Sequence, residues 1–116
     1  MPRSLAYANV FFAIADPTRR AILDALLSSD QTAGELYQRT VQAVSKLGQS
    51  AFSQHLGVLR QAGLIVSRPS GTFRLYRLNP EPLAEVVDWA SHYSKFWDEK
   101  LDSLDSYMEK RGLQSK

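Results

Sequence analysis

The chain contains no cysteine, which removes disulfides, thiolate metal sites and thiol redox chemistry together. It has no apolar run approaching the roughly 18 residues that a membrane helix needs, so no membrane partner is expected. The stretch Val10-Phe11-Phe12-Ala13-Ile14-Ala15 is short, lacks a small-residue cleavage site and runs straight into a helix-start signal at Asp16. It therefore reads as folded structure in a cytoplasmic protein rather than as a signal sequence. The glycines (Gly34, Gly48, Gly57, Gly63, Gly71 and Gly112) are scattered and form no phosphate loop. Neither His55 nor His92 belongs to a recognisable nucleophile motif. Neither an enzyme nor a cofactor is expected.

Acids are missing where they matter most. Between Glu35 and Glu81 there is none, while Arg39, Lys46, Arg60, Arg68, Arg74 and Arg77 all fall there. From Glu81 to Glu109 the balance reverses, with eight acids against Lys95 and Lys100. A formal net charge of only +2 hides this split. A basic middle beside an acidic tail suggests one face for a polyanion and another for a different partner.

The 116 residues fit a single domain spanning residues 1–116. A first helix is expected over residues 3–15, apolar nearly all round (Leu5, Tyr7, Ala8, Val10, Phe11, Phe12, Ile14) and so buried on more than one side. Asp16-Pro17 supplies a cap and a proline at the first helical position. The second helix should turn Ile22, Leu23, Leu26 and Leu27 inward. Thr32-Ala33-Gly34-Glu35 is a capping box that opens a third helix, carrying Leu36 and either Val41 or Val44 inward, before a turn around residues 45–48. A fourth helix is expected from about Gln49 to Ala62, stopped by Gly63. Two β-rich runs, 64–68 and 73–78, joined by Pro69-Ser70-Gly71-Thr72, make a hairpin. A final helix should run from residue 80 to about 111, ended by Gly112, with Pro82 tolerated in its first turn.

The fourth helix carries the sharpest signal. Ala51, Phe52, Leu56, Val58, Leu59 and Ala62 form one apolar stripe that must pack inward. The opposite side presents Gln49, Ser50, Ser53, Gln54, Gly57, Arg60 and Gln61, with no acid and no bulky aliphatic. Such a surface suits the DNA major groove, where Gln pairs with adenine, Ser with several base edges, and Arg with guanine or phosphate. An ordinary solvated face would mix Glu with Lys. His55 stands at the edge of the stripe as a packing or phosphate-contacting residue. On the hairpin, Arg68, Arg74 and Arg77 flank a flexible tip and could reach phosphates or the minor groove; the alternative is that they protect an exposed strand edge. Phe73 and Leu75 alternate with Arg74, Tyr76 and Leu78, so one ribbon face must pack inward. Arg19 and Arg20 follow a helix start, where the dipole disfavours cations, which points to a phosphate or acidic partner. Together these features imply a mainly α fold with a small β-hairpin: a winged helix-turn-helix of about five helices and a two-stranded wing.

The last helix would extend about 45 Å at roughly 1.5 Å per residue. Leu83, Val87, Ala90, Ser94, Trp97, Leu101, Leu104 and Met108 follow a four-three spacing, and Val86, Trp89, Tyr93 and Phe96 form a second stripe. One small domain cannot cover so broad an apolar surface. A homodimer through the first and last helices, with Phe11, Leu83, Val87, Ala90, Trp97, Leu101 and Leu104 in the interface, would cover it; the alternative is a pocket for an apolar effector. Two recognition helices so held would meet successive major grooves about 34 Å apart.

Ala15-Asp16-Pro17-Thr18-Arg19-Arg20-Ala21-Ile22-Leu23 resembles the opening signature of the ArsR/SmtB family of bacterial repressors. Ser50-Ala51-Phe52-Ser53-Gln54-His55-Leu56, Leu59-Arg60, Ala62-Gly63-Leu64-Ile65 and the segment 71–78 continue the likeness in order. The resemblance implies a homodimer that binds an inverted repeat in double-stranded DNA and regulates transcription as a repressor. It also implies that Gln49, Ser50, Ser53 and Gln54 face bases. Members often carry Leu-Ser before this helix, whereas here Leu47-Gly48 stands there and the serine cap is missing. Family members that bind metal use cysteines on the third helix; Glu35-Leu36-Tyr37-Gln38-Arg39-Thr40 offers no soft ligand. Another family site uses Asp and His on the last helix, but Asp88 and His92 have no second histidine beyond them and fall short of the three or four ligands a divalent ion needs. They read instead as a solvated helical pair. The chain is thus expected to hold no metal, and no effector is implied. The alternative function is a winged-helix module that binds a protein partner rather than DNA.

Overall fold

The structure, a computed structural model, describes residues 9–100 and residue 107; the expected helical segment 3–8, Leu101, Leu104 and Met108 lie outside these. The described elements are α1 (Val10–Ile14), α2 (Pro17–Ala25), β1 (Gln31–Thr32), α3 (Ala33–Ala43), α4 (Gln49–Gln61), β2 (Ile65–Ser70), β3 (Phe73–Leu78) and α5 (Leu83–Ser91), with helical backbone again at 94–100. Two compact units divide the chain, residues 1–86 and 87–116.

Local chemistry sets the helix boundaries in the first unit. Helix α1 starts at Val10 because Asn9 adopts extended backbone and its Oδ1 accepts from the N–H of Phe11 at 2.7 Å and of Phe12 at 3.4 Å. An asparagine that satisfies two N–H groups is a helix start rather than a helix interior, so Asn9, expected within the first helix, stands at the start of α1 instead. Asp16 caps α2 through the N–H of Thr18 at 2.7 Å and of Arg19 at 3.3 Å, with Pro17 in its first turn. The capping box of α3 is complete, Thr32 Oγ1 accepting from Glu35 N–H and Glu35 Oε1 from Thr32 N–H. Gly48 caps α4 without a side-chain bond. Gly63 ends that helix at φ +78°, and the Leu64 N–H closes back on the Leu59 carbonyl at 3.0 Å.

The expected two-stranded ribbon is a three-stranded antiparallel sheet in the order β1-β3-β2. Strand β1 pairs Gln31 with Tyr76 and Thr32 with Leu75. At two residues it is too short to show alternation, and Thr32 doubles as the α3 cap. Pro69, expected in the connection, lies within β2 opposite Arg74; β2 is an edge strand, where a missing N–H removes no ladder bond. The connection shrinks to Gly71-Thr72, with Gly71 at the φ of +64° that a two-residue hairpin of this hand requires. Tyr76 is the buried residue of β3, and Ile65 and Leu78 join it at the core. Phe73, on the other face near the tip, is 64% exposed.

The core of this unit gathers Val10 and Ala13 from α1, Ile22 and Leu23 from α2, Leu36 from α3, Phe52, Leu56 and Leu59 from α4, and Leu64, Ile65 and Tyr76 from the sheet region. Leu26, just past α2, joins it, whereas Leu27, expected inward, is 71% exposed, because α2 ends at Ala25 and its periodicity no longer governs that position. Thr40, not the neighbouring valines, is the second buried residue of α3; its hydroxyl donates to the Leu36 carbonyl at 2.8 Å, so it enters the core with its polar group satisfied. Val41 and Val44 are half-buried.

Helix α5 begins at Leu83 rather than at residue 80. Pro80 and Pro82 lack N–H groups, and the intervening chain makes three-residue turns, Leu83 N–H to the Pro80 carbonyl and Ala84 N–H to the Glu81 carbonyl. Leu83 and Val86 pack against the core. The helix stops at Ser91, whose hydroxyl donates to the Asp88 carbonyl at 2.6 Å, a local competitor for the helical bond. A turn at His92 and Tyr93 separates it from the next helical stretch, so the single helix expected over 80–111 is interrupted and His92 falls past the end of the helix that carries Asp88.

Opposite sides of α4 make opposite predictions. Leu59 is fully buried, so Leu59→Ala should destabilise the protein by about 2–5 kcal/mol. A Cβ added at Gly57 would meet nothing within 4 Å, so Gly57→Ala should stabilise the free protein by about 0.5–1 kcal/mol. Urea unfolding of both variants measures each sign.

Candidate nucleic-acid interface

Two side chains from other helices, Tyr37 and Arg19, help to hold helix α4. Its entry is set by Tyr37 of α3, whose ring meets Phe52 edge-on at 5.2 Å and whose hydroxyl donates to the Leu47 carbonyl at 2.6 Å. That bond pins the turn before α4, where Lys46 takes a positive φ of 62°. Its middle is gripped by Arg19 from α2. The Arg19 guanidinium is buried; Nε donates to the Ala13 carbonyl at 2.6 Å, one terminal nitrogen to the Phe12 carbonyl at 3.0 Å, and the other lies 3.1 Å from Nδ1 of His55. The same guanidinium stacks 5.1 Å from the Phe12 ring. Neither a phosphate nor an acid is the main partner of this arginine: it caps the carbonyl end of α1, where a cation is favoured by the dipole. Arg20 does likewise, donating to the Ile14 carbonyl at 2.8 Å. The sharp α1–α2 corner at Asp16 brings those carbonyls to the start of α2, which resolves the apparent conflict between two cations and a helix N-terminus.

With α4 so fixed, Phe52, Leu56, Leu59 and Ala62 face the core and Val58 is half-buried. Gln49, Ser50, Ser53, Gln54, Arg60 and Gln61 are exposed. One position of the expected stripe is turned outward. Ala51 is exposed, because the stripe is centred on Phe52 and Leu56 and leaves it at the margin. His55 is half-buried with Nδ1 engaged by Arg19, so it serves to hold the helix as well as standing beside the polar face. Gln54, Gly57, Val58 and Gln61 line a shallow hollow on the outer side of α4. No packing contact demands glycine at position 57, although glycine in mid-helix costs stability.

The three wing arginines do not behave alike. Among the described residues, Arg74 bonds only the Ser67 hydroxyl, at 3.1 and 3.2 Å, and is exposed. Arg68 and Arg77 both bind Asp30, from just before β1. Arg68 Nη1 lies 2.8 Å from Oδ2, while Arg77 forks onto the carboxylate with Nε 3.2 Å from Oδ1 and Nη2 3.1 Å from Oδ2. These hydrogen bonds from Arg77 and Arg68 hold the Asp30 carboxyl below the usual aspartate range. Asp30 lies 38 residues from one partner and 47 from the other, outside the acid-free window read from the sequence, and no local signal marks it. Burial pushes Asp16 up, but the N–H groups of Thr18 and Arg19 and the nearby Arg19 guanidinium outweigh it, so Asp16 also sits below the ordinary value.

A sheet-flanked helix pair with an acid-free outer helix is the geometry of a DNA-binding module, and comparison with known proteins agrees. Residues 14–68 match the model of a helix-turn-helix domain. The transcriptional repressor SdpR of Bacillus subtilis is 37% identical over 93 residues, covering 80% of this chain and 98% of that protein. The chain belongs to the ArsR family of helix-turn-helix transcriptional regulators. A second member of the same kind, the biofilm growth-associated repressor of Xylella fastidiosa, is 30% identical over 86 residues, 74% of this chain and 71% of that one. In three dimensions, an ArsR-like transcriptional regulator from Rhodococcus sp. RHA1 superposes with a TM-score of 0.64 at 28% identity, covering 95% of this chain and 97% of that one. Family membership favours the regulator over the protein-binding module, and the fold is the winged helix-turn-helix of the family.

Two predictions follow from these contacts. Arg19→Met leaves two carbonyls and a histidine nitrogen without their donor and should cost at least about 2 kcal/mol, whereas Arg20→Met, at an exposed site, should cost well under half as much; urea titration compares them. Because Asp16 and Asp30 titrate lower when folded, their stabilisation is present above the unfolded aspartate value, near 3.9, and is lost as pH falls through the folded values. Unfolding midpoints should therefore drop as pH falls below about 4, and Asp16→Asn should flatten that limb, whereas Asp30→Asn, at a solvent-screened pair, should change it little.

Proposed function

We propose that the protein binds an inverted repeat in double-stranded DNA as a homodimer and represses transcription there. Helix α4 reads base edges through Gln49, Ser50, Ser53 and Gln54, with Arg60 on the adjoining phosphate and Arg74 on the wing contacting backbone. The observation that carries this reading is the division of α4: its exposed side has hydrogen-bonding groups and no acid, while Phe52, Leu56 and Leu59 anchor the other side. Side chains of this kind discriminate base edges, and phosphate contacts from a neighbouring ribbon fix register without reading sequence. The relatives' names support repression.

The dimer rests on the C-terminal segment. Val87, Trp89, Tyr93, Phe96 and Trp97 are large apolar residues with substantial exposure, more than an isolated small protein leaves to water. The proposed interface comprises Phe11, Leu83, Val87, Ala90 and Trp97, together with Leu101 and Leu104 beyond the described residues. Phe11 and Leu83 also pack partly against their own core. No described helix is long and apolar enough to cross a membrane, which agrees with a place in the cytoplasm beside the DNA.

Competition binding tests the division of labour. The probes are a duplex enriched from a random pool by the native protein and a shuffled duplex of equal length. Ser53→Ala with Gln54→Ala should erase most of the preference between them, a loss of about 1–3 kcal/mol per base contact removed. Arg74→Ala should weaken both duplexes alike and lower the slope of log K against log salt by about 1 per subunit. Uniform loss from both changes would remove the recognition role from α4.

A further inference from the structure

The wing has a carboxylate where a DNA-binding ribbon gains nothing from one. Extending the β1–β3 register by one residue sets Asp30 opposite Arg77, and Arg68 reaches the same carboxylate from β2. The site is open to water: the Arg68 and Arg77 side chains are 53% and 61% exposed and Asp30 is 24% exposed. Ion pairs this exposed add little to folding stability, so the fold itself gives Asp30 little reason to be there. Its electrostatic effect is larger. A carboxylate within hydrogen-bond distance of two guanidinium groups cancels much of their field inside a Debye length of about 8 Å, and it occupies the forked donors that would otherwise grip phosphate oxygens.

We propose that Asp30 is a specificity-determining residue: by occupying Arg68 and Arg77 it holds down the sequence-independent phosphate attraction of the wing, leaving the base contacts of α4 to decide where the protein binds. The proposal rests on the DNA-binding reading above and concerns a different quantity, the ratio of selective to indiscriminate affinity. Arginines already paired release fewer counterions from DNA, so they contribute little to the salt slope. Arg74, whose partner is the neutral Ser67 hydroxyl, supplies the wing's share of that slope. Removing the Asp30 charge should turn two structural arginines into phosphate ligands and strengthen binding to any duplex.

The test uses the full chain with the enriched and shuffled duplexes at several salt concentrations, and circular dichroism to verify folding of each variant. Asp30→Asn should raise affinity for the shuffled duplex about three- to tenfold at low salt, narrow the preference for the enriched one, and steepen the salt slope by about 1–2 per subunit. Asp30→Glu, which keeps the charge, should stay near the native slope. Arg68→Gln with Arg77→Gln, in the presence of Asp30, should change the native slope by less than about 0.5 per subunit. An Asp30→Asn slope equal to or shallower than native, or weaker binding to the shuffled duplex, overturns the proposal. So does a loss of about 2 per subunit in the double arginine variant, which would mean that both arginines already hold phosphates. Should Asp30→Asn fail to fold, the arginine variant decides alone. A native protein that binds neither duplex at low salt would instead refute the DNA-binding reading itself.

Discussion

Phe52, Leu56 and Leu59 leave water along one side of α4, and the free energy of that burial turns Gln49, Ser50, Ser53 and Gln54 to the outside. Each such apolar side chain contributes roughly 1.5–3 kcal/mol when fully buried, far more than any single polar contact on the exposed side. Orientation of the polar face therefore follows from the core and not from interactions of its own. That arrangement suits a surface meant for a partner: its donors and acceptors stay available because folding does not need them. The contacts around the stripe then fix the helix along its length. Tyr37 sets the entry, and Arg19 ties the middle to the end of α1 through His55.

Arg19 illustrates how an apparent local conflict becomes a tertiary device. A cation just after a helix start opposes the dipole of its own helix. Yet the corner at Asp16 presents the carbonyls of Phe12 and Ala13 to the same guanidinium, and the attraction to that helix end exceeds the local repulsion. The buried charge is tolerable because its donors find acceptors on α1 and α4. One side chain thus joins α1, α2 and α4, and the element that carries the polar outer residues is not left to pack alone.

The wing follows a different logic. Its arginines are chemically identical, and their distribution along β2 and β3 suggests three equal phosphate contacts. Their neighbours separate them into one that bonds a hydroxyl, Arg74, and two that share a carboxylate, Arg68 and Arg77. A ribbon can therefore carry more formal positive charge than it presents to a polyanion. Net charge by region overstates the field when an acid from elsewhere in the chain folds into the region.

Caps, stops and the α4 stripe were legible in the sequence because each depends on residues within a turn or two of one another: Asp16 with Thr18, Thr32 with Glu35, Gly63 at its positive φ, Phe52 with Leu56 and Leu59. Helices α2 to α4, the hairpin and most of the outer residues of α4 are of this kind. What the linear order did not disclose depends on partners brought together only by the chain's return. Strand β1 exists because β3 offers it a ladder, Pro69 lies within β2 because that strand is an edge, and Asn9 shows its capping role only once its backbone is extended. The breaks on either side of α5 hinge on whether a proline pair and a serine hydroxyl prevail against a strong apolar period. Asp30, 47 residues before Arg77, lies furthest from any local rule. A single sequence states which side chains carry charge; only folding decides which charges meet, because Coulomb attraction depends on distance in space and the backbone alone converts separation along the chain into that distance.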